Sequence, residues 1–219
     1  MTRTALFDLD GTLADTAPDL AYVLNQMRAA RGNPALPPAA TRPVTSLGAR
    51  GLLNVGFGMS PGHPEYAAMR EEFLRLYESN ICRESRLFPG MSELLDAIEK
   101  RGLRWGVVTN KAERLARLLL EALGISSRAA CIVGGDTTPH LKPHPDPLLA
   151  ACRIMQEDAG ACVYVGDDQR DIEAGRAAGM KVVAVRWGYL NGGSPESWNA
   201  DLLIAEPCDL LQVLQPAPG

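Results

Sequence analysis

The stretch Thr4-Ala5-Leu6-Phe7-Asp8-Leu9-Asp10-Gly11-Thr12-Leu13 sets two carboxylates two residues apart at the end of an apolar run. The run reads as a buried strand over about 3–9. On a strand, residues i and i+2 point the same way, about 7 Å apart along the chain. Gly11 permits the backbone to turn sharply. Two like charges held this close raise each other's pKa unless a cation or a shared proton relieves them. A solvated strand end closed by an Asp-Gly turn is the plainer alternative. The rest of the chain decides between the two.

Directly after this stretch the pattern turns helical. A helix is expected over 17–31, with Thr16 as N-cap, Pro18 in the first turn and Leu20, Val23, Leu24 and Met27 at helical spacing. Asn33 to Pro38 is a break, and two further helices follow near 43–56 and 64–81. From Phe88-Pro89-Gly90 onward, helices near 91–101, 112–123, 146–156 and 169–178 alternate with compact apolar strands. Those strands lie near 105–109, 130–133, 161–166 and 181–186, and a last strand and helix fill 201–214. Continuous apolar strands separated by helices imply a parallel sheet covered on both faces. Residues 1–15 and 84–219 should therefore form an α/β core, with 16–83 a helical unit inserted after the first strand.

Composition narrows the function. The chain has 219 residues, 46% of them hydrophobic and 22% charged, which suits a packed globular protein. The net charge is −4 and no basic run occurs, so a nucleic-acid partner is not expected. No apolar stretch approaches the roughly 20 residues of a membrane span. Charges at Arg3, Asp8 and Asp10 interrupt any signal-peptide core. The five cysteines contain no Cys-x-x-Cys pair and read as free thiols, with Cys131, Cys152 and Cys162 in the core. With three histidines, of which His63 and His144 read as surface loop residues, a zinc site is not expected. These features predict a cytoplasmic protein; a monomer or weak homodimer with a small-molecule partner is the accompanying expectation.

Ligands of open α/β sheets sit at the carboxyl ends of the strands. Four polar segments occupy that position: Asp8 to Thr12, Thr109-Asn110-Lys111, Leu141-Lys142-Pro143-His144-Pro145, and Gly166-Asp167-Asp168-Gln169-Arg170-Asp171. Together they offer several carboxylates, a hydroxyl and a lysine. Clustered carboxylates suit a hard cation such as magnesium. The lysine and the Thr109 hydroxyl suit phosphate oxygens. An aspartate can serve as nucleophile through an aspartyl-phosphate. Each residue also has a plainer reading: Thr109 as a helix cap, Lys142 as a solvated loop lysine, Asp171 as an acid in a helix's first turn. The four in this order are harder to explain that way.

The ordered set Asp8-x-Asp10-Gly11-Thr12, Thr109, Lys142-Pro143 and Gly166-Asp167-Asp168-x-x-Asp171 resembles the haloacid dehalogenase superfamily, in particular its phosphoglycolate phosphatase branch. The resemblance covers the whole chain. It implies a Rossmann-like core with an inserted all-helical cap, and a magnesium-dependent phosphatase acting on a small-molecule phosphate ester. Residue by residue, it implies Asp8 as nucleophile and Asp10 as general acid and base. Thr109 and the Asn110 backbone would hold the phosphoryl group, with Lys142 bridging nucleophile and phosphate. Magnesium would sit on Asp8, Asp167 and the backbone carbonyl of Asp10. Asp168 and Asp171 would act in the outer shell, or Asp171 would orient Lys142.

The helical unit should choose the substrate. In Ser46-Leu47-Gly48-Ala49-Arg50-Gly51, glycine allows close backbone approach and Arg50 can grip a carboxylate. A helix-surface arginine is the plainer reading of Arg50. The functional one predicts a carboxylated phosphate ester, a description that 2-phosphoglycolate and N-acetylmuramate 6-phosphate both meet. Longer stretches, among them Trp105 to Lys111 and Gly166 to Arg176, are similar to N-acetylmuramate 6-phosphate phosphatases. A sugar phosphomutase of the same superfamily and a non-catalytic binding protein on the same fold are the alternatives.

Overall fold

The computed structural model describes residues 2–215. Strand β1 (Thr4–Phe7) is followed by the short β2 (Ala14–Asp15) and helix α1 (Ala17–Ala29). Helices α2 (Pro38–Thr41), α3 (Gly48–Phe57) and α4 (Tyr66–Ser79) come next, then β3 (Arg86–Leu87) and α5 (Met91–Lys100). The remainder alternates: β4 (Arg104–Val108), α6 (Glu113–Ala122), β5 (Ile132–Val133), α7 (Asp146–Met155), β6 (Cys162–Gly166), α8 (Gln169–Ala177), β7 (Lys181–Val185) and β8 (Leu202–Ile204). No helix of the described residues is long and apolar enough to cross a membrane.

Six strands form one sheet in the order β5-β4-β1-β6-β7-β8, every pair parallel. The chain leaves β1 to build one half of the sheet through β4 and β5. It then returns to β6 on the other side of β1, which makes the β1–β6 boundary the topological switch point where such sheets open a crevice. Phe7, the last residue of β1, pairs with Val107 on one side and Val165 on the other. Alternation divides the strand between two cores. Ala5 and Phe7 pack with Leu94, Ile98 and Leu119 of α5 and α6, and Leu6 packs with Leu148, Ala151 and Ala174 of α7 and α8.

Helices α1, α3 and α4 bury their own cluster of Leu20, Val23, Leu24, Leu52, Leu53, Met69 and Phe73, joined by Leu115 of α6. The expected single helix over 43–56 is instead a 3-10 turn, Arg42–Leu47, leading into α3. The break falls at Gly48, whose φ of 58° lies in the left-handed region that favours glycine. A two-stranded antiparallel ribbon also went unforeseen, because β2 and β3 are only two residues each. It pairs Asp15 with Arg86, where the chain leaves the sheet layer and where it returns. Buried Asp19 fastens the same crossing by accepting from the backbone N–H groups of Glu84 and Ser85 and from the Ser85 hydroxyl. The terminal segment, expected as a helix, is a 3-10 turn over Pro207–Gln212.

Candidate active site

Asp8 is the first residue beyond β1, Thr109 the first beyond β4 and Asp167 the first beyond β6. Parallel strands end level with one another, so the three side chains gather at one edge of the sheet, beside the switch point. Lys142 arrives on the loop between β5 and α7, and Asp171 from the first turn of α8. A cavity of about 490 Å³ opens over this edge. It is lined on the sheet side by Asp8, Asp10, Thr109, Asn110, Lys142 and Asp171, and on the helical side by Ser46, Gly48, Arg50, Tyr66, Arg70 and Phe73.

Lys142 is buried and fully engaged. Its ammonium donates to Asp171 Oδ1 at 2.7 Å, to Tyr164 Oη at 2.6 Å and to the Val108 carbonyl at 3.2 Å. An ammonium has three protons. Asp8 Oδ1 lies 2.9 Å from the same Nζ, so four acceptors share them. Burial works against the charged ammonium, but Asp171 and Asp8 outweigh it and raise the Lys142 pKa. Asn110 secures the backbone: its Oδ1 accepts from Lys142 N and its Nδ2 donates to Lys142 O, both at 3.0 Å.

Carboxylate oxygens of Asp8, Asp167 and Asp171 lie within 4.8 Å of one another. Asp167 is fully buried, and burial, with Asp8 and Asp171 adding to it, pushes its pKa up to about 8. Thr12 Oγ1 and the Tyr189 N–H donate to it, each at 2.8 Å, which moderates the shift. The chain approaches this carboxylate closely: a Cβ on Gly11, where φ is 94°, would overlap it, as would one on Gly188. Asp171 is pushed up to about 6 by burial and by Asp8, and held back by Lys142. Asp8, sharing one lysine with Asp171 and standing beside two acids with raised pKa values, fits a hard divalent cation.

Asp10 has different surroundings. Its carboxylate accepts from Lys111 Nζ at 2.9 and 3.1 Å and from Thr16 Oγ1 at 2.5 Å, and it stands outside the three-acid cluster. Thr16 is free to bind it because it does not cap α1 with its side chain, as the sequence suggests it should. The Tyr189 hydroxyl accepts instead from the N–H groups of Thr16 and Ala17. Asp168 caps α8, taking part in a reciprocal capping box with Asp171, and is gripped through both oxygens by Arg170. Burial alone would raise the Asp168 pKa; Arg170 outweighs it and the net shift is downward. Thr109 Oγ1 accepts from Lys111 N at 3.2 Å, and the residue is not the cap of α6, which is Ala112. Gly48 and Arg50 line the cavity from the helical side, with Arg50 exposed.

Sequence reading passed over Lys111, Tyr164, Tyr189 and Arg170 as functional groups. Lys111 adjoins Thr109-Asn110 at a strand end, a position that could have drawn attention to it. Tyr164 sits inside an apolar strand and Tyr189 in a loop, where aromatic residues read as packing.

Comparison with known proteins extends these observations. A family model described as haloacid dehalogenase-like hydrolase matches residues 5–185. The chain is 43% identical over 216 residues to the N-acetylmuramic acid 6-phosphate phosphatase of Pseudomonas putida, covering 98% of this chain and 97% of that protein. It is 47% identical over 212 residues to the phosphoglycolate phosphatase of Xanthomonas campestris pv. campestris, covering 95% and 94%. A crystal structure of a predicted phosphoglycolate phosphatase from Haemophilus somnus superposes with a TM-score of 0.87 at 29% identity, over 98% of each chain.

Proposed function

This chain belongs to the haloacid dehalogenase-like hydrolase family, and from that premise we propose that it is a magnesium-dependent phosphatase of small carboxylated phosphate monoesters, with N-acetylmuramate 6-phosphate ahead of 2-phosphoglycolate as substrate. The observation that carries the chemistry is the buried Asp8 carboxylate at the cavity floor, 2.9 Å from the Lys142 ammonium and grouped with Asp167 and Asp171. A carboxylate so placed can meet a phosphoryl group and a divalent cation together.

Asp8 attacks phosphorus, an O–P bond forms to the carboxylate, and the ester O–P bond breaks. The leaving alcohol takes a proton from Asp10. Water then attacks the aspartyl-phosphate, Asp10 accepts its proton, and phosphate leaves with Asp8 restored. Lys142, Thr109 and the Asn110 backbone hold the phosphoryl oxygens, and Lys142 keeps Asp8 and Asp171 from repelling each other. Asp8, Asp167 and the Asp10 carbonyl would hold magnesium, which supplies charge neutralisation for the transferring group. Residues 16–83 act as a cap over this site, with Arg50 and the Gly48 turn facing the substrate.

Cavity size supports the larger substrate. About 490 Å³ lies within the usual range for small-molecule sites, and a two-carbon acid would leave most of it unfilled. A phosphate-release panel containing both candidates tests the reading. N-acetylmuramate 6-phosphate should give the higher kcat/KM, and Asp8→Asn should lower kcat by about a thousandfold or more. Unchanged release by Asp8→Asn would overturn the mechanism, and a preference for 2-phosphoglycolate would overturn the substrate assignment.

A further inference from the structure

His140-Leu141-Lys142-Pro143-His144 sets two histidines four residues apart, and Asp146 follows as the first residue of α7. From the sequence alone no zinc site is expected here. In the structure the two imidazoles stack, with centroids 4.3 Å apart and planes 27° apart. Both turn Nδ1 toward one carboxylate: His140 Nδ1 is 2.6 Å from Asp146 Oδ2 and His144 Nδ1 is 3.2 Å from Asp146 Oδ1. The Asp146 N–H donates to His144 Nδ1 at 3.3 Å, so that nitrogen presents a lone pair. A carboxylate oxygen 3.2 Å from that nitrogen calls for either a ring proton or a metal cation between them.

The geometry points to a second cation site, formed by His140, His144 and Asp146, that takes a divalent transition metal of the Zn2+ class. Imidazole nitrogens suit zinc, nickel and copper, whereas magnesium demands an oxygen shell. Zinc bonds of about 2.0–2.2 Å place neighbouring ligands of a tetrahedron somewhat more than 3 Å apart. The His144–Asp146 spacing already matches, and the His140–Asp146 hydrogen bond need open only slightly. The histidine side chains are 60% and 47% exposed, so an ion has access and solvent can complete its shell. The positive end of the α7 dipole opposes a cation here, and the full charge of Asp146 outweighs that partial one.

This site shares no residue with the three-acid cluster. Its two histidines bracket Leu141, Lys142 and Pro143, which line the main cavity. A bound metal would therefore join both ends of the segment that carries Lys142.

Zinc titrated calorimetrically into the tag-free full chain, with excess magnesium present to occupy the buried carboxylates, tests the assignment. Wild type should bind one zinc per chain, and zinc-edge X-ray absorption should show two imidazole ligands. His140→Ala and His144→Ala, each checked for native circular dichroism, should weaken binding about a hundredfold or more. Absence of zinc binding would overturn the site. So would binding unchanged in both histidine variants, or zinc that is lost in Asp167→Asn while persisting in the histidine variants.

Discussion

The two walls of the main cavity are built on opposite plans. At the strand ends Lys142 is held among Asp8, Asp171, Tyr164 and the Val108 carbonyl, while Asn110 grips its backbone on both sides. Across the cavity Arg50 and Arg70 stand exposed, without an ion pair among the described residues. The first wall is over-determined: moving any one group leaves others buried and unpaired. The second holds charged side chains that can take up a ligand without breaking anything. On the proposed function, fixed chemistry falls to the sheet edge and adjustable recognition to the inserted helices.

Lys142→Met tests the rigid wall with the largest expected effect. It leaves Asp8 and Asp171 buried together without their counter-charge, a loss of about 3–5 kcal/mol by analogy with broken buried pairs. Turnover should fall by about a thousandfold or more, since the phosphate loses its lysine as well. Denaturant unfolding and phosphate release measure the two losses separately. A variant with wild-type stability would show that the acids are relieved by something other than Lys142.

Much of the rigid wall is readable in the sequence because it is tied to strand ends. Apolar runs closed by Asp8, Thr109 and Asp167 declare both the parallel sheet and the edge at which open α/β sheets take their ligands. Spacing also places Asp171 on the first turn of a helix begun by Asp168. What escapes is set by contacts between distant segments. Nothing local to Tyr189 says that its hydroxyl receives the first amides of α1 and so frees Thr16 for Asp10. Lys111 is adjacent to a recognised segment, but its partner lies 101 positions away. The β2–β3 ribbon is too short to produce a period-two pattern. His140 and His144 have helical spacing but lie in a loop, and only the fold turns both toward Asp146.

Arg50→Ala probes the adjustable wall, and its effect should be smaller and of another kind. Folding stability should stay within about 0.5 kcal/mol of wild type, as for other exposed substitutions. KM for a carboxylated substrate should rise about tenfold or more, the worth of a hydrogen bond between charged groups, with little change in kcat. An aryl phosphate without a carboxylate is the control. Equal effects on both substrates would remove Arg50 from carboxylate recognition, and a large stability loss would place it in the rigid wall.

The gentlest test of the contrast is the pH dependence of stability without metal. Asp167 has a pKa of about 8 in the folded chain and should have about 3.9 when unfolded. An acid raised by folding contributes stability below its unfolded pKa, and that contribution is lost as pH rises through the folded value. Asp171, raised to about 6, acts in the same direction. In chelator, the rigid wall should therefore weaken between about pH 4 and pH 8. Magnesium binds the ionised carboxylates and should restore what is lost, so its stabilising effect should grow across this window. Thermal unfolding at about pH 5 and about pH 8 should show a gain in Tm on adding magnesium that is several degrees larger at the higher pH. Asp167→Asn should flatten that difference, and Arg50→Ala should leave it intact, because the arginine belongs to the wall that stores no charge strain. An equal gain at both pH values would mean that the three acids are already relieved without a cation.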